Sequence, residues 1–375
     1  MPSLIGGGAE KVLITLLSNL NQQQYDITLL VISNKGIYFD HIPPGVTLCT
    51  LFNNDLLQRG LIHLHRKINL SFLFKYYVNR KIKTEYDIGI SFLDGVYSDF
   101  LIVLDKKVHK LITVVHSSYK SYINRSKFIA GAYKKRLVRK YHKFDAIVSV
   151  SNDALKEFQS MLGSYKRMAV IYNPVEKTQI MVQSRAFEVT FAREQIHLIA
   201  VGSLLPVKGY DNLIAACKKL QTDGYRFKLR ILGRGFLKTK LEDQIRRAGL
   251  SDYVQLLGFK ANPYPYIRGS DIFVMSSVAE GLPTVLIEAM VLGLPVLVTG
   301  CPGCREIVQG GEYGVMVEQG VHELYQGLRM LMDDKGLREY YHFQSLQRSK
   351  DFDKQTSIAH YEQLFHQMLH LPQEV

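Results

Sequence analysis

No run of eighteen uncharged apolar residues occurs in this chain; the longest candidate, Leu282 to Thr299, is broken by Glu288 and two prolines. Nothing in the sequence is built to cross a membrane. The start, Met-Pro-Ser-Leu-Ile-Gly-Gly-Gly, lacks the basic opening and apolar core of a secretory leader, so a cytoplasmic location is expected. Four cysteines in 375 residues are too few for a disulfide framework and agree with a reducing compartment. Cys301-Pro-Gly-Cys304 has the spacing of a redox pair, but no thioredoxin-like βαβ start precedes it, and Cys49 and Cys217 are poorly placed to complete a zinc site. It reads as the loop after a strand at Pro295 to Val298. Internal repeats are absent. So is an Asp-x-Asp triad at a strand end: Asp351-Phe352-Asp353 fits the spacing but opens the tail helix, where aspartate caps well. No metal and no cofactor are expected.

Acidic residues are missing from one long stretch. Lys106 to Lys143 holds twelve lysines and arginines and no aspartate or glutamate. Residues 1–185 carry 26 basic against 13 acidic side chains, and residues 186–375 carry 21 of each, so the whole net charge of +13 belongs to the first half. Such a bias needs an anionic partner, either nucleic acid or the inner surface of a membrane. Ile129, Tyr133, Leu137 and Tyr141 recur at helical spacing among Lys134, Lys135, Arg136, Arg139, Lys140 and Lys143, which suits a helix lying in a lipid interface. A solvated basic helix whose apolar stripe packs on its own domain is the alternative. The reading carried forward is a membrane surface and no nucleic acid.

What is present is ample apolar material, 47% of residues, arranged as short hydrophobic runs alternating with helical stretches. That is the pattern of parallel sheets covered by helices. Strands are expected at 27–32, 88–92, 111–115, 146–150 and 169–172, then at 196–201, 228–232, 254–256, 272–275, 295–298 and 314–317. Helices are expected at 8–20 and 153–161. A first domain of residues 1–178, a linker at 179–194, a second domain at 195–352 and a terminal helix at 353–375 follow. Only Pro2 to Ile5 precede the glycine loop, so the first strand is expected to be clipped or to begin upstream.

Chemistry concentrates at a few strand ends. Glu280-Gly281-Leu282-Pro283-Thr284 reads as a turn entering a helix, with Glu288 a little over one turn inside it. The amides of such a turn can hold an anion beside two carboxylates, a combination suited to a sugar on a diphosphate. Gly6-Gly7-Gly8-Ala9-Glu10 opens the first helix and lets amides approach a phosphate, although a dinucleotide fingerprint would need glycine where Lys11 stands. Lys208, on the loop from Gly202 and Ser203 to Gly209, is placed to meet a diphosphate above a sheet edge. Gly233-Arg234-Gly235 and Gly258-Phe259-Lys260 each follow a strand. His116 and Asp94 also end strands, His116 leading into Ser117-Ser118-Tyr119.

Together these segments resemble the retaining nucleotide-sugar glycosyltransferases of family 4: the Glu-x7-Glu spacing of Glu280 and Glu288, the Gly-Gly-x-Glu loop, the Lys208-Gly209 pair, and Gly303 to Glu306 with Gly310 to Gly314. The resemblance implies an α/β protein of GT-B fold, with two facing Rossmann-like domains and a C-terminal helix crossing back to the first. It assigns Lys208 and the amides of Gly7, Gly8, Gly281 and Leu282 to the departing diphosphate. Glu288 falls to the ribose and Glu280 to the transferred sugar. The turn at Gly233 and Arg234 and the Phe259-Lys260 loop fall to the nucleotide. His116, Asp94 and Tyr119 fall to the acceptor. One departure matters: the family pattern has arginine where Ser203 stands, and Arg234 or a cation of the first domain is expected to compensate. The implied activity is metal-independent transfer, with retention, of a hexose or N-acetylhexosamine from a nucleotide sugar, UDP-linked by likeness to capsule and O-antigen enzymes. The implied acceptor is a lipid-linked oligosaccharide at the inner face of the plasma membrane. A sugar-nucleotide epimerase and a non-catalytic membrane or nucleic-acid adaptor are the rival readings.

Overall fold

The computed structural model describes residues 1–52, 60, 71–116, 127–191 and 194–370. The chain divides into two compact units, Met1–Pro174 with the stretch from Lys354 on, and Val175–Asp353.

The first unit runs α1 (Gly8–Asn19), β1 (Ile27–Ser33), β2 (Val46–Phe52), α2 (Ser71–Lys81), β3 (Tyr86–Ser91), α3 (Ser98–Ile102), β4 (Val108–Val115), α4 (Lys127–Tyr141), β5 (Ala146–Ser149), α5 (Asn152–Leu162) and β6 (Met168–Val170). Every strand pairing is parallel, β1 with β2 and, in a second sheet, β3-β4-β5-β6. Residues before the glycine loop lie alongside β1: the amides of Ile32 and Ser33 donate to the carbonyls of Met1 and Pro2, and Leu4 bridges Gly36. Leu4 makes an isolated bridge there, outside the named strands. α1 buries Val12, Leu13, Leu16 and Leu17, the apolar face that the 3.6-residue period foretells. One strand, β2, goes beyond the sequence reading.

The second unit runs α6 (Lys177–Gln183), β7 (Ile196–Val201), α7 (Tyr210–Thr222), β8 (Phe227–Leu232), α8 (Lys238–Arg247), β9 (Val254–Gly258), α9 (Tyr264–Arg268), β10 (Ile272–Met275), α10 (Thr284–Val291), β11 (Val296–Thr299), α11 (Pro302–Val308), β12 (Val315–Val317), α12 (Val321–Asp333) and α13 (Lys335–Ser349). Its six strands form one parallel sheet in the order β12-β11-β10-β7-β8-β9. Strands covered on both faces read as continuous apolar runs. Here Leu198, Ala200, Leu229, Ile231, Ile272 and Val274 pack with Leu213 and Cys217 of α7 and Leu324 and Leu328 of α12. Part of the stretch read as a linker folds onto this unit: Asn262 Nδ2 donates to Gln183 O at 2.9 Å, and Phe191 stacks on His197 with ring centroids 4.7 Å apart. The last helix, α14 (Lys354–Leu369), returns to the first unit, where Phe365 meets Tyr25 edge to face at 5.8 Å.

Candidate active site

In the six-stranded sheet the chain starts at β7, builds outward through β8 and β9, then restarts on the other side with β10. β7 and β10 are thus neighbours at the point where the strand order reverses, and the carboxyl ends of strands at such a point are the usual ligand position in an open α/β sheet. The β7 loop makes a short 3-10 turn at Pro206–Lys208 and ends at Gly209, whose φ is +61°. The β10 loop brings Glu280 across it. Lys208 Nζ and Glu280 Oε1 lie 2.6 Å apart, with only 16% and 15% of their side chains exposed. Two further bonds sew the loops together: Ser276 Oγ donates to Lys208 O at 2.8 Å, and Val278 N donates to Val207 O at 2.8 Å. A Cβ on Gly209 would stand 2.2 Å from Ser276 O, so only glycine lets the loops approach this closely. Beneath them Tyr210 is buried; burial first, and the charge of Glu280 second, push its phenol up and keep it protonated.

The turn after Glu280 is pinned from behind. Gly303 N donates to Glu280 O at 3.3 Å, and a Cβ on Gly303 would fall 2.2 Å from Gly281 O. Pro283, in an extended conformation, caps α10; Thr284 is the first helical residue, and Glu288 is buried in the next turn. Gly281, Leu282 and Pro283 are buried alongside. Cys301 caps α11, and both it and Cys304 are buried free thiols. A hydrogen bond with Cys301, then burial, raises the Cys304 thiol, which lies 3.4 Å from Met275 Sδ.

Farther along the same sheet edge, Leu204 N donates to Arg234 O at 2.9 Å and Gly233 N to Gly258 O at 2.9 Å, locking the loops after β7, β8 and β9 side by side. The exposed Arg234 guanidinium lies over the Phe259 ring at 4.8 Å. Ser203 is half-buried in the first of these loops. Lys260 departs from the group, its ammonium resting over Tyr266 at 5.7 Å. The second unit thus sets Lys208, Glu280, the Gly281 turn and the Arg234-Phe259 pair along one edge of one sheet.

On the first unit, Gly7 caps α1 and Gly8 begins it, both exposed. Glu10 reaches back over Gly7, where a Cβ would stand 2.1 Å from Glu10 Oε2. His116 follows β4 directly, its ring 4.9 Å from that of Phe92. Burial lowers its pKa to about 4, opposed by a hydrogen bond to the Phe92 backbone, so the ring is neutral near pH 7. Among the described residues its Nε2 is buried without a hydrogen-bond partner. Asp94 Oδ2 accepts from Tyr141 Oη at 3.5 Å. Tyr119 lies outside the described residues.

The basic helix needs a correction. Lys140 turns inward, its ammonium 2.7 Å from Asp99 Oδ1 and hydrogen-bonded to Gly95 O, so it offers no charge to a surface. Burial draws its pKa down, and Asp99 opposes that. Leu137 and Tyr141 are buried in the unit's own core, so these two of the stripe face inward as well, whereas Tyr133 is exposed. Lys134, Lys135, Arg136, Arg139 and Lys143 are exposed. No helix among the described residues is long and apolar enough to cross a membrane. Sequence reasoning missed Tyr210, Ser276 and Asp99; of these only Tyr210 had a local signal, standing next to the Lys208-Gly209 pair.

Comparison with known proteins bears on both units. Residues 6–179 match the model of Glycosyltransferase Family 4, and residues 183–345 match that of Glycosyl transferases group 1. The chain is 29% identical over 365 residues, 94% of each chain, to the N-acetylgalactosamine-N,N'-diacetylbacillosaminyl-diphospho-undecaprenol 4-alpha-N-acetylgalactosaminyltransferase of Campylobacter jejuni. It is 26% identical, over 92% of each chain, to the amylovoran biosynthesis glycosyltransferase AmsD of Erwinia amylovora. Among solved structures, HepE of Anabaena in complex with UDP and glucose superposes with a TM-score of 0.74 at 19% identity, covering 98% of this chain and all of that one. At that identity the likeness is one of fold, and the fold is GT-B.

Proposed function

The chain belongs to glycosyltransferase group 1, family 4, and from that premise we propose that it moves a hexose or N-acetylhexosamine, with retention, from a UDP-linked donor to a lipid-linked oligosaccharide in cell-surface polysaccharide assembly. The observation that carries the donor side is the ion pair of Lys208 and Glu280 at the switch point of the six-stranded sheet, 2.6 Å long and largely shielded from water. A diphosphate entering there offers Lys208 a stronger anionic partner and leaves the Glu280 carboxylate to accept from sugar hydroxyls. Arg234, held near the loop that carries Ser203, supplies a second cation in place of the arginine that loop lacks. The amides of Gly281 and Leu282 add to the anion site, and Glu288 accepts from the ribose.

In the transfer step the bond from the anomeric carbon to the phosphate oxygen breaks and the electron pair leaves on the diphosphate. The acceptor hydroxyl attacks from the same side and gives its proton to a diphosphate oxygen. Lys208 stabilises the charge that grows on the leaving group, so its contribution is larger in the transition state than in the bound donor. His116, neutral, and Asp94 are assigned to the acceptor, and the reaction is expected to survive chelation of divalent metals. The Campylobacter relative is named for a diphospho-undecaprenol substrate, which favours a lipid-linked acceptor and an anionic membrane as partners.

A thermal-shift screen against UDP-, GDP- and ADP-sugars tests the donor class, because a ligand that binds only the folded state raises its stability by mass action. UDP-sugars are expected to raise the melting temperature most, and radiolabelled sugar is expected to appear in a lipid-linked product. An epimerised nucleotide sugar formed without any acceptor would replace this reading with the epimerase.

A further inference from the structure

With Leu137 and Tyr141 turned inward, Tyr133 is the one exposed large apolar side chain among the described side chains of α4, which leaves that helix better able to attract a charged surface than to enter it. α2 is built differently. Its inner side, Phe74 and Val78, closes on the same core cluster as Leu137 and Tyr141 of α4. The short helix α3 touches both, through Phe100 stacked on Phe74 at 3.9 Å and Asp99 bonded to Lys140 at 2.7 Å. α2 and α4 therefore clothe one side of the first unit together. The outer side of α2 carries Phe72, 67% exposed, and one turn later Tyr76, 57% exposed, the two most exposed large apolar side chains of this unit among the described residues. Lys75, Arg80 and Lys83 are exposed around them, and Arg80 Nη1 donates to Tyr76 Oη at 3.2 Å. No acidic residue occurs between Ser71 and Thr84, or within α4.

We propose that α2 seats the first unit on an anionic phospholipid surface, Phe72 and Tyr76 entering the interface while Lys75, Arg80, Lys83 and the outer cations of α4 lie against lipid phosphates. An aromatic ring, a phenol bonded to a guanidinium and flanking ammoniums match the layered polarity of the headgroup region, where each finds its preferred depth. Charge alone would suit nucleic acid equally, but the outer face of a helix offers no groove to track a strand, and Tyr77, the ring beside Tyr76, meets it edge to face at 5.5 Å, which leaves no slot between them for a base. The proposal deepens the reading of a lipid-linked acceptor and rests on it, since that substrate is embedded in such a surface.

The chain contains no tryptophan, so Phe72→Trp installs a single indole reporter. With vesicles of phosphatidylglycerol and phosphatidylcholine its emission is expected to shift to the blue and to be quenched by brominated phosphatidylglycerol. Phe72→Ser with Tyr76→Ser, both at exposed sites, is expected to keep the melting temperature and transfer to a water-soluble acceptor. Its co-sedimentation with the same vesicles should weaken by roughly tenfold or more. A wild-type protein that binds these vesicles while the double variant binds equally well, or while the indole spectrum stays fixed, overturns the role of α2 and leaves membrane docking intact. Wild-type protein that ignores the vesicles, or that prefers an oligonucleotide to them, overturns both.

Discussion

Lys208 and Glu280 satisfy each other in the structure, so a donor must compete for both. Their substitutions should separate in sign. Lys208→Met removes the cation on the leaving group and is expected to cost about 100-fold or more in kcat/KM and to abolish stabilisation by UDP. Glu280→Gln is expected to lose turnover while holding UDP at least as tightly, because Lys208 no longer has a competing carboxylate. Steady-state kinetics with a parallel UDP thermal shift distinguishes the two. His116 makes a pH prediction. Its pKa falls from 6.5 to about 4 on folding, so the neutral ring is favoured and the unfolded chain binds more protons in that interval. The contribution of His116 to stability is present above pH 6.5 and is lost as pH falls toward 4. Urea midpoints measured across this range should decline with acidity, and His116→Gln should flatten the slope. Residues such as these were legible because each stands at the end of an apolar run or beside a glycine. Lys140 was not: in the sequence it is one of twelve cations, and its partner Asp99 is brought to it only by the packing of α3 against the sheet.

At the scale of elements, the donor edge depends on how closely the β7 and β10 loops approach. Gly209→Ala would put a Cβ in a left-handed conformation 2.2 Å from Ser276 O. Relief requires moving the loop that carries Lys208 away from the one that carries Glu280. The substitution is expected to cost about 1 to 3 kcal/mol in urea unfolding and to weaken UDP binding measured by titration, although it touches no reacting group. The six-stranded sheet was easy to read, since strands buried on both faces leave uninterrupted runs such as Ile272–Met275 and Ile196–Val201. β2 was hard. Among the described residues it pairs with β1 alone, and Thr47 and Leu48 lie exposed, so neither a continuous run nor a clean alternation marks it. Helix α14 was legible from its own apolar spacing, as Ile358, Tyr361, Phe365 and Met368 are all buried.

Across the whole molecule, chain order and compact unit part company at one place. Two cores form from successive halves of the sequence, but the last helix belongs to the first unit. The sequence pattern gave that helix its amphipathic face without saying what would cover it, because any apolar surface satisfies the same periodicity. The contacts decide: Phe365 lies 5.8 Å from Tyr25 and 6.1 Å from Tyr361, and Arg167 Nη1 donates to the Gln367 carbonyl at 3.5 Å. Residues far apart in the chain therefore share one compact unit. Phe365→Ala removes a buried ring from it and is expected to cost about 3 to 5 kcal/mol. Hydrogen exchange should show that loss in β1, β4 and β5, with protection of β7, β8 and β10 unchanged, since their core is filled by other side chains. Loss of protection spread evenly over both sheets would mean that the two cores unfold as one, and that α14 stabilises the chain as a whole rather than the unit it completes.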